Sequence, residues 1–91
     1  MLCLPAILLR RAFPNPFNPT TTIGFQLPVA GHVTLTVHDV LGRQVAALIN
    51  QNMPPGYHEA IWNARDASSG VYLYQLRAGS FVDTRKIILL R

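Results

Sequence analysis

The sequence predicts an all-β fold, an antiparallel sandwich of six to seven short strands. Three observations carry that reading: apolar residues alternate with period two in several short runs, Gly, Pro and Asn clusters punctuate those runs at close spacing, and no long stretch asks for a helix. With 91 residues, 49% of them hydrophobic and 13% charged, the chain has room for one domain, near the lower size at which a single core is self-sufficient. The lone Cys3 has no internal disulfide partner, so stability must come from burial or from packing against a larger protein.

The start, Met1-Leu2-Cys3-Leu4-Pro5-Ala6-Ile7-Leu8-Leu9-Arg10-Arg11, is apolar but has the wrong polarity for an export signal. A secretory signal carries positive charge ahead of its apolar run, whereas here both arginines follow a short run broken by Pro5, and a membrane span needs about 20 apolar residues. Residues 1–12 therefore read as an N-terminal extension: a linker end, an extra edge strand, or upstream sequence cut by a misplaced start.

Pro14-Asn15-Pro16-Phe17-Asn18-Pro19 comes next, three prolines and two asparagines in six residues. Proline fixes φ and removes a donor, the residue before it is pushed to extended space, and Asn folds its side chain onto nearby backbone groups. The segment encodes geometry, a stiff lead-in to a strand. Ile23, Phe25 and Leu27 then alternate with Thr22, Gly24 and Gln26, and Val33, Leu35 and Val37 alternate with Thr34, Thr36 and His38. With Pro28-Val29-Ala30-Gly31 as a turn between them, the two runs are expected to pair as a hairpin.

Asp39-Val40-Leu41-Gly42 reads as a tight reversal, with Asp at the first position and Gly42 at positive φ. Gln44 to Gln51 fits both periods, but its shortness and the preceding turn favour a strand. Met53-Pro54-Pro55-Gly56 closes it. In the next strand His58, Ala60 and Trp62 share a face, with Trp62 in the core, and Asn63 to Gly70 forms a polar loop. Tyr72, Tyr74 and Leu76 alternate with Val71, Leu73, Gln75 and Arg77, and Gly79-Ser80 closes a two-residue hairpin into Phe81-Val82-Asp83-Thr84-Arg85. The consecutive apolar residues Ile87 to Leu90 predict cover on both faces or a bulge. Strand number and spacing point to an immunoglobulin-like sandwich without the disulfide of antibody domains, with a β-barrel as the other architecture.

Enzyme chemistry finds no foothold. Asp39, Glu59, Asp66 and Asp83 are dispersed, no nucleophile or phosphate-cradling motif is present, and Cys3 lies in the least structured segment, so no catalytic residue and no cofactor is expected. His32 and His38 are separated by about 20 Å along one strand and cannot share a metal ion, and a third ligand for a pair with His58 is lacking. Asp66-Ala67-Ser68-Ser69-Gly70 holds one carboxylate, too few for a calcium site, and reads as a turn. The net charge of +4 is spread over separate segments without an aromatic platform, which argues against nucleic acid as a partner. The terminal segment is different: Arg85-Lys86 and Arg91 bracket an Ile/Leu-rich run that a partner can read by strand addition or carboxylate capture.

Five spaced blocks, in order, resemble the type A C-terminal sorting domain of the type IX secretion system (the Por secretion system sorting domain). They are Asn15-Pro16-Phe17-Asn18-Pro19, Leu27-Pro28-Val29-Ala30-Gly31-His32-Val33-Thr34-Leu35, Asp39-Val40-Leu41-Gly42-Arg43, Ser69-Gly70-Val71-Tyr72-Leu73-Tyr74 and Arg85-Lys86-Ile87-Ile88-Leu89-Leu90-Arg91. His38 stands where that family often has Tyr. The resemblance covers about residues 13–91 and implies a non-catalytic export tag at the C-terminus of a passenger fused N-terminally to it. In such proteins the passenger crosses the periplasm, the outer-membrane translocon recognises the tag, and a sortase-like peptidase removes it at the cell surface. By the same resemblance, Lys86, Ile87, Ile88, Leu89, Leu90 and Arg91 are the expected recognition residues. Asn15, Pro16, Phe17, Asn18, Pro19, Gly42, Arg43, Trp62, Ser69, Gly70, Val71 and Tyr72 are expected fold-makers. No small-molecule ligand is implied, and the chain reads as a fragment whose passenger lies outside it. The alternative is a structural adhesion or assembly module, similar to the immunoglobulin-like domain of flagellar hook-capping proteins.

Overall fold

A computed structural model describes residues 7–90; Met1 to Ala6, including Cys3 and most of the segment weighed as an export signal, and Arg91 lie outside the described residues. The strands are β1 (Leu8–Leu9), β2 (Thr20–Leu27), β3 (Gly31–Asp39), β4 (Gln44–Met53), β5 (Gly56–Asn63), β6 (Gly70–Ala78) and β7 (Phe81–Leu89). They form two antiparallel sheets, ordered β1-β2-β5 and β4-β3-β6-β7. This is the expected sandwich, not a barrel, and the strand order is that of an immunoglobulin-like fold whose fourth strand stays beside the third.

Strict alternation places the core. Ile23, Phe25 and Leu27 from one sheet and Val33, Leu35, Val37, Tyr72, Tyr74, Leu76, Ile87 and Leu89 from the other are buried between the layers. The Gln44 run is a strand, as its length suggested. It is the poorest in buried side chains, since Val45 is exposed and Ala46, Leu48 and Ile49 only flank the core.

One expectation fails. The runs ending at Leu27 and starting at Gly31 do not pair as a hairpin: β2 pairs with β5, while β3 pairs with β4 and β6. Both runs carry a continuous apolar face, and pairing them side by side would leave each face in need of a separate cover. Crossing from one sheet to the other at Pro28-Val29-Ala30 lets the two faces cover each other across the sandwich.

The remaining turns follow their chemistry. Asp39 Oδ1 accepts from the Leu41 and Arg43 amides, both at 2.9 Å, and Gly42 takes φ 85°. The Arg43 guanidinium meets Asp39 Oδ2 at 2.9 Å. Gly79, at φ 61°, makes the two-residue reversal between Ala78 and Phe81.

The described part of the N-terminal extension belongs to the packed body. Leu8 and Leu9 pair with Gln26 and Phe25, and Leu9 and Ala12 are buried. The Tyr74 hydroxyl, beneath this segment, donates to the Arg10 carbonyl at 2.8 Å and accepts from the Ala12 amide at 3.0 Å.

Candidate functional site

β7 is an edge strand, and the lead-in covers part of its edge. Because Ala78 and Phe81 close the hairpin, β7 residues of odd number exchange hydrogen bonds with β6, and those of even number turn their N–H and C=O groups outward. The lead-in takes up the outward groups at one end. The Phe17 amide donates to the Ile88 carbonyl and the Leu90 amide to the Phe17 carbonyl, both at 3.0 Å, in a parallel bridge.

Asn15, between two prolines, continues that pairing with its side chain. Its Oδ1 accepts from the Ile88 amide at 3.0 Å and its Nδ2 donates to the Lys86 carbonyl at 3.4 Å. The side-chain amide thus does for β7 what a strand backbone would do. Behind it, Thr21 Oγ1 donates to the Pro14 carbonyl at 2.8 Å and the Ala64 amide to the Pro19 carbonyl at 2.8 Å, fixing the lead-in at both ends. The Phe13-Pro14, Asn15-Pro16 and Asn18-Pro19 bonds are cis.

Phe17 turns into the core, where its ring lies 5.4 Å from Trp62, and Trp62 stands edge-on to Tyr72 at 5.3 Å. The Tyr72 hydroxyl donates to the Ser68 carbonyl at 2.7 Å, and Gly70 pairs with Leu89. The lead-in and the Ser69–Tyr74 block thus meet through Trp62 in one aromatic cluster, and the Gly70–Leu89 pair ties the terminal block beside it. Gly42 and Arg43 lie apart, in the β3–β4 turn.

The terminal run splits by face. Ile87 and Leu89 are fully buried, Ile88 is half-buried, and Lys86 and Leu90 are exposed. A partner that reads the folded domain reaches Lys86, Ile88 and Leu90, whereas Ile87 and Leu89 hold the strand down. The register of β7 is unbroken through Leu89, so no bulge relieves the apolar run. Its outer face is covered only in part.

The histidines lie apart. His32 and His38 are on β3 and His58 is in the other sheet. His32 meets Asn50 and Asn52, His38 meets Thr36, and His58 meets the Pro54 carbonyl.

Sequence reasoning missed a cationic face beside this edge. Arg11, Asn15, Tyr74, Arg85 and Lys86 line one hollow, and Arg10, Arg11 and Arg85 also border a neighbouring one with Tyr57 and Glu59. Arg10 stacks over the Tyr57 ring at 5.4 Å, and that ring lies across Gly24 so closely that a Cβ there would meet its hydroxyl. Removal from solvent, then the adjacent Glu59 carboxylate, raises the Tyr57 pKa above its ordinary value. Arginines at positions 10, 11 and 85 look scattered in sequence. The one available signal was Gly24 in a strand interior, which often marks close approach of another group.

The model of the secretion-system C-terminal sorting domain family matches residues 11–90. The chain belongs to that family. The resemblance to type IX sorting domains carried by the spaced motifs is thereby borne out, and the sorting domain is a C-terminal secretion signal whose assignment implies export to the surface or the medium. No curated protein matches the sequence. Among solved structures the sorting domain is similar to part of PorZ, a surface component of the type-IX secretion system of Porphyromonas gingivalis. The TM-score is 0.62 at 21% identity, over 93% of this chain and 11% of PorZ, a likeness of fold. The sorting domain thus spans about a tenth of the length of that protein.

Proposed function

We propose that the sorting domain works without catalysis, as a folded tag read by the outer-membrane translocon. A passenger fused N-terminally to it crosses the periplasm, the translocon engages the surface formed by Lys86, Ile88 and Leu90 together with Arg91, which follows them in sequence, and a sortase-like peptidase then removes the tag at the cell surface. The observation that carries this reading is the joining of lead-in and tail, the first and last motif blocks, into one edge. Displaying that edge requires the whole domain to be folded, so a partner that reads it reads a finished domain.

The test fuses the full chain to the C-terminus of a periplasm-targeted fluorescent protein in a bacterium with an active type IX system. Lys86→Glu with Leu90→Asp changes the reachable side chains and spares the buried Ile87 and Leu89. System-dependent delivery of the parent fusion, lost in this variant while the domain stays folded, supports the reading. A parent fusion that is folded and stable but stays in the periplasm overturns it in favour of a structural module.

A further inference from the structure

The lead-in pairs with β7 only from Lys86 onward. Upstream, Val82 and Thr84 turn the N–H and C=O of each outward, and Lys86 its N–H, with no strand beyond them among the described residues. The edge stays open from Val82 to Lys86, continuous with the stretch where Asn15 and Phe17 already act as a partner strand.

Charge distinguishes this open edge from the others. The strands that end the sheets elsewhere hold no lysine or arginine: β1 is Leu8–Leu9, β4 has no charged side chain and β5 has Glu59 beside His58. Beside β7, Arg11, Arg85 and Lys86 share a hollow that no carboxylate lines. Two acids adjoin it: Asp83, with its Oδ2 at 3.5 Å from the exposed Arg85 Nε, a weak contact, and Glu59, which lines the neighbouring hollow with Arg11 and Arg85. Successive side chains of an added strand point to opposite faces. Those on one face would lie opposite Arg85, with Arg11 in the same hollow, and those on the other opposite Lys86, at the roughly 4.5 to 5.5 Å between Cβ atoms typical of cross-strand pairs on β7. Cations on an edge deter neutral or basic strands, and the same cations select an acidic one.

We propose that the edge from Val82 to Lys86 takes an extended, acidic segment of a partner protein as an added strand, with Arg11, Arg85 and Lys86 reading its carboxylates. This deepens the sorting reading, and rests on it only for placing the partner in the export machinery.

The binding test uses the full chain and a nine-residue synthetic peptide that alternates Glu with Val and Thr. Thr84→Pro removes one outward N–H and leaves the β6 ladder intact, and Thr84→Val keeps that N–H as a control. Expected are slowed amide exchange at Val82, Thr84 and Lys86, affinity lower by about tenfold in Thr84→Pro but not in Thr84→Val, and no binding of a Lys-for-Glu peptide. Unchanged exchange, or equal affinity for Thr84→Pro, overturns the inference. So does inorganic phosphate shifting the same arginines while the peptide does not, which would make the hollow a phosphate site. In the export assay, retention of Thr84→Pro with delivery of Thr84→Val supports the edge. Delivery of both overturns the edge and leaves sorting intact, whereas retention of the parent overturns sorting and leaves the binding test to decide the edge.

Discussion

Tyr74 is buried on β6, and its hydroxyl is the acceptor for the Ala12 amide and the donor to the Arg10 carbonyl, more than sixty residues away in sequence. Replacing it with Phe keeps the ring and strands a buried N–H, so Tyr74→Phe is expected to cost about 1 to 3 kcal/mol in urea unfolding. Burial, followed by smaller contributions of both signs from Ala12, Arg85, Asp83 and Arg11, raises the Tyr74 pKa above its ordinary value. The folded state therefore favours the neutral phenol. Its stabilisation is fully present below the pKa of an unfolded tyrosine, about 10, and is lost as pH rises above that value through the folded pKa. The parent should lose stability at alkaline pH more steeply than Tyr74→Phe, and parallel curves would refute this. That Tyr74 faces the core was legible from alternation; that its hydroxyl holds residues 10–12 was not, because period specifies a face and never a partner.

Among elements, β7 and the lead-in depend on each other. Asn15→Ala removes the acceptor for the Ile88 amide and the donor to the Lys86 carbonyl, and is expected to destabilise the domain by about 1 kcal/mol. The sharper readout is local: faster exchange of the Ile88 amide, with Ile23 and Leu35 unaffected. Equal exchange at Ile88 would show that the Asn15 contact contributes nothing. Deleting residues 86–91 is a different experiment, because it removes the fully buried Ile87 and Leu89, each worth about 2 to 5 kcal/mol as truncations to Ala. Such a deletion should unfold the domain, seen as loss of its near-ultraviolet circular dichroism, so failed export of a tail-less fusion would not by itself identify a recognition signal. The stiffness of the lead-in was legible in its prolines. Its docking on β7 was not, nor was the crossing of the chain between sheets after Leu27, since two alternating runs joined by a short turn read equally as a hairpin or as opposite walls of a sandwich.

At the scale of the whole molecule, the question is where the folding unit begins. Motif resemblance sets the boundary near Phe13, yet Leu9 and Ala12 are core residues and β1 extends the smaller sheet. We expect residues 13–91 alone to fold less stably than the full chain. Removing Leu9 exposes a place in the core worth about 1.5 to 3 kcal/mol, and removing Arg10 to Ala12 leaves the Tyr74 hydroxyl without its two backbone partners. Small domains have only about 5 to 15 kcal/mol in total, so the sum of these losses is a substantial part of it. The loss also uncovers β2, which would become an edge beside the apolar interior. Urea unfolding of the two chains side by side tests this: a clearly lower midpoint for 13–91, with a greater tendency to associate, places β1 within the folding unit. Coincident midpoints would mean that β1 merely rests on a sandwich already complete from Phe13. The extension would then be a tether that the sandwich does not need.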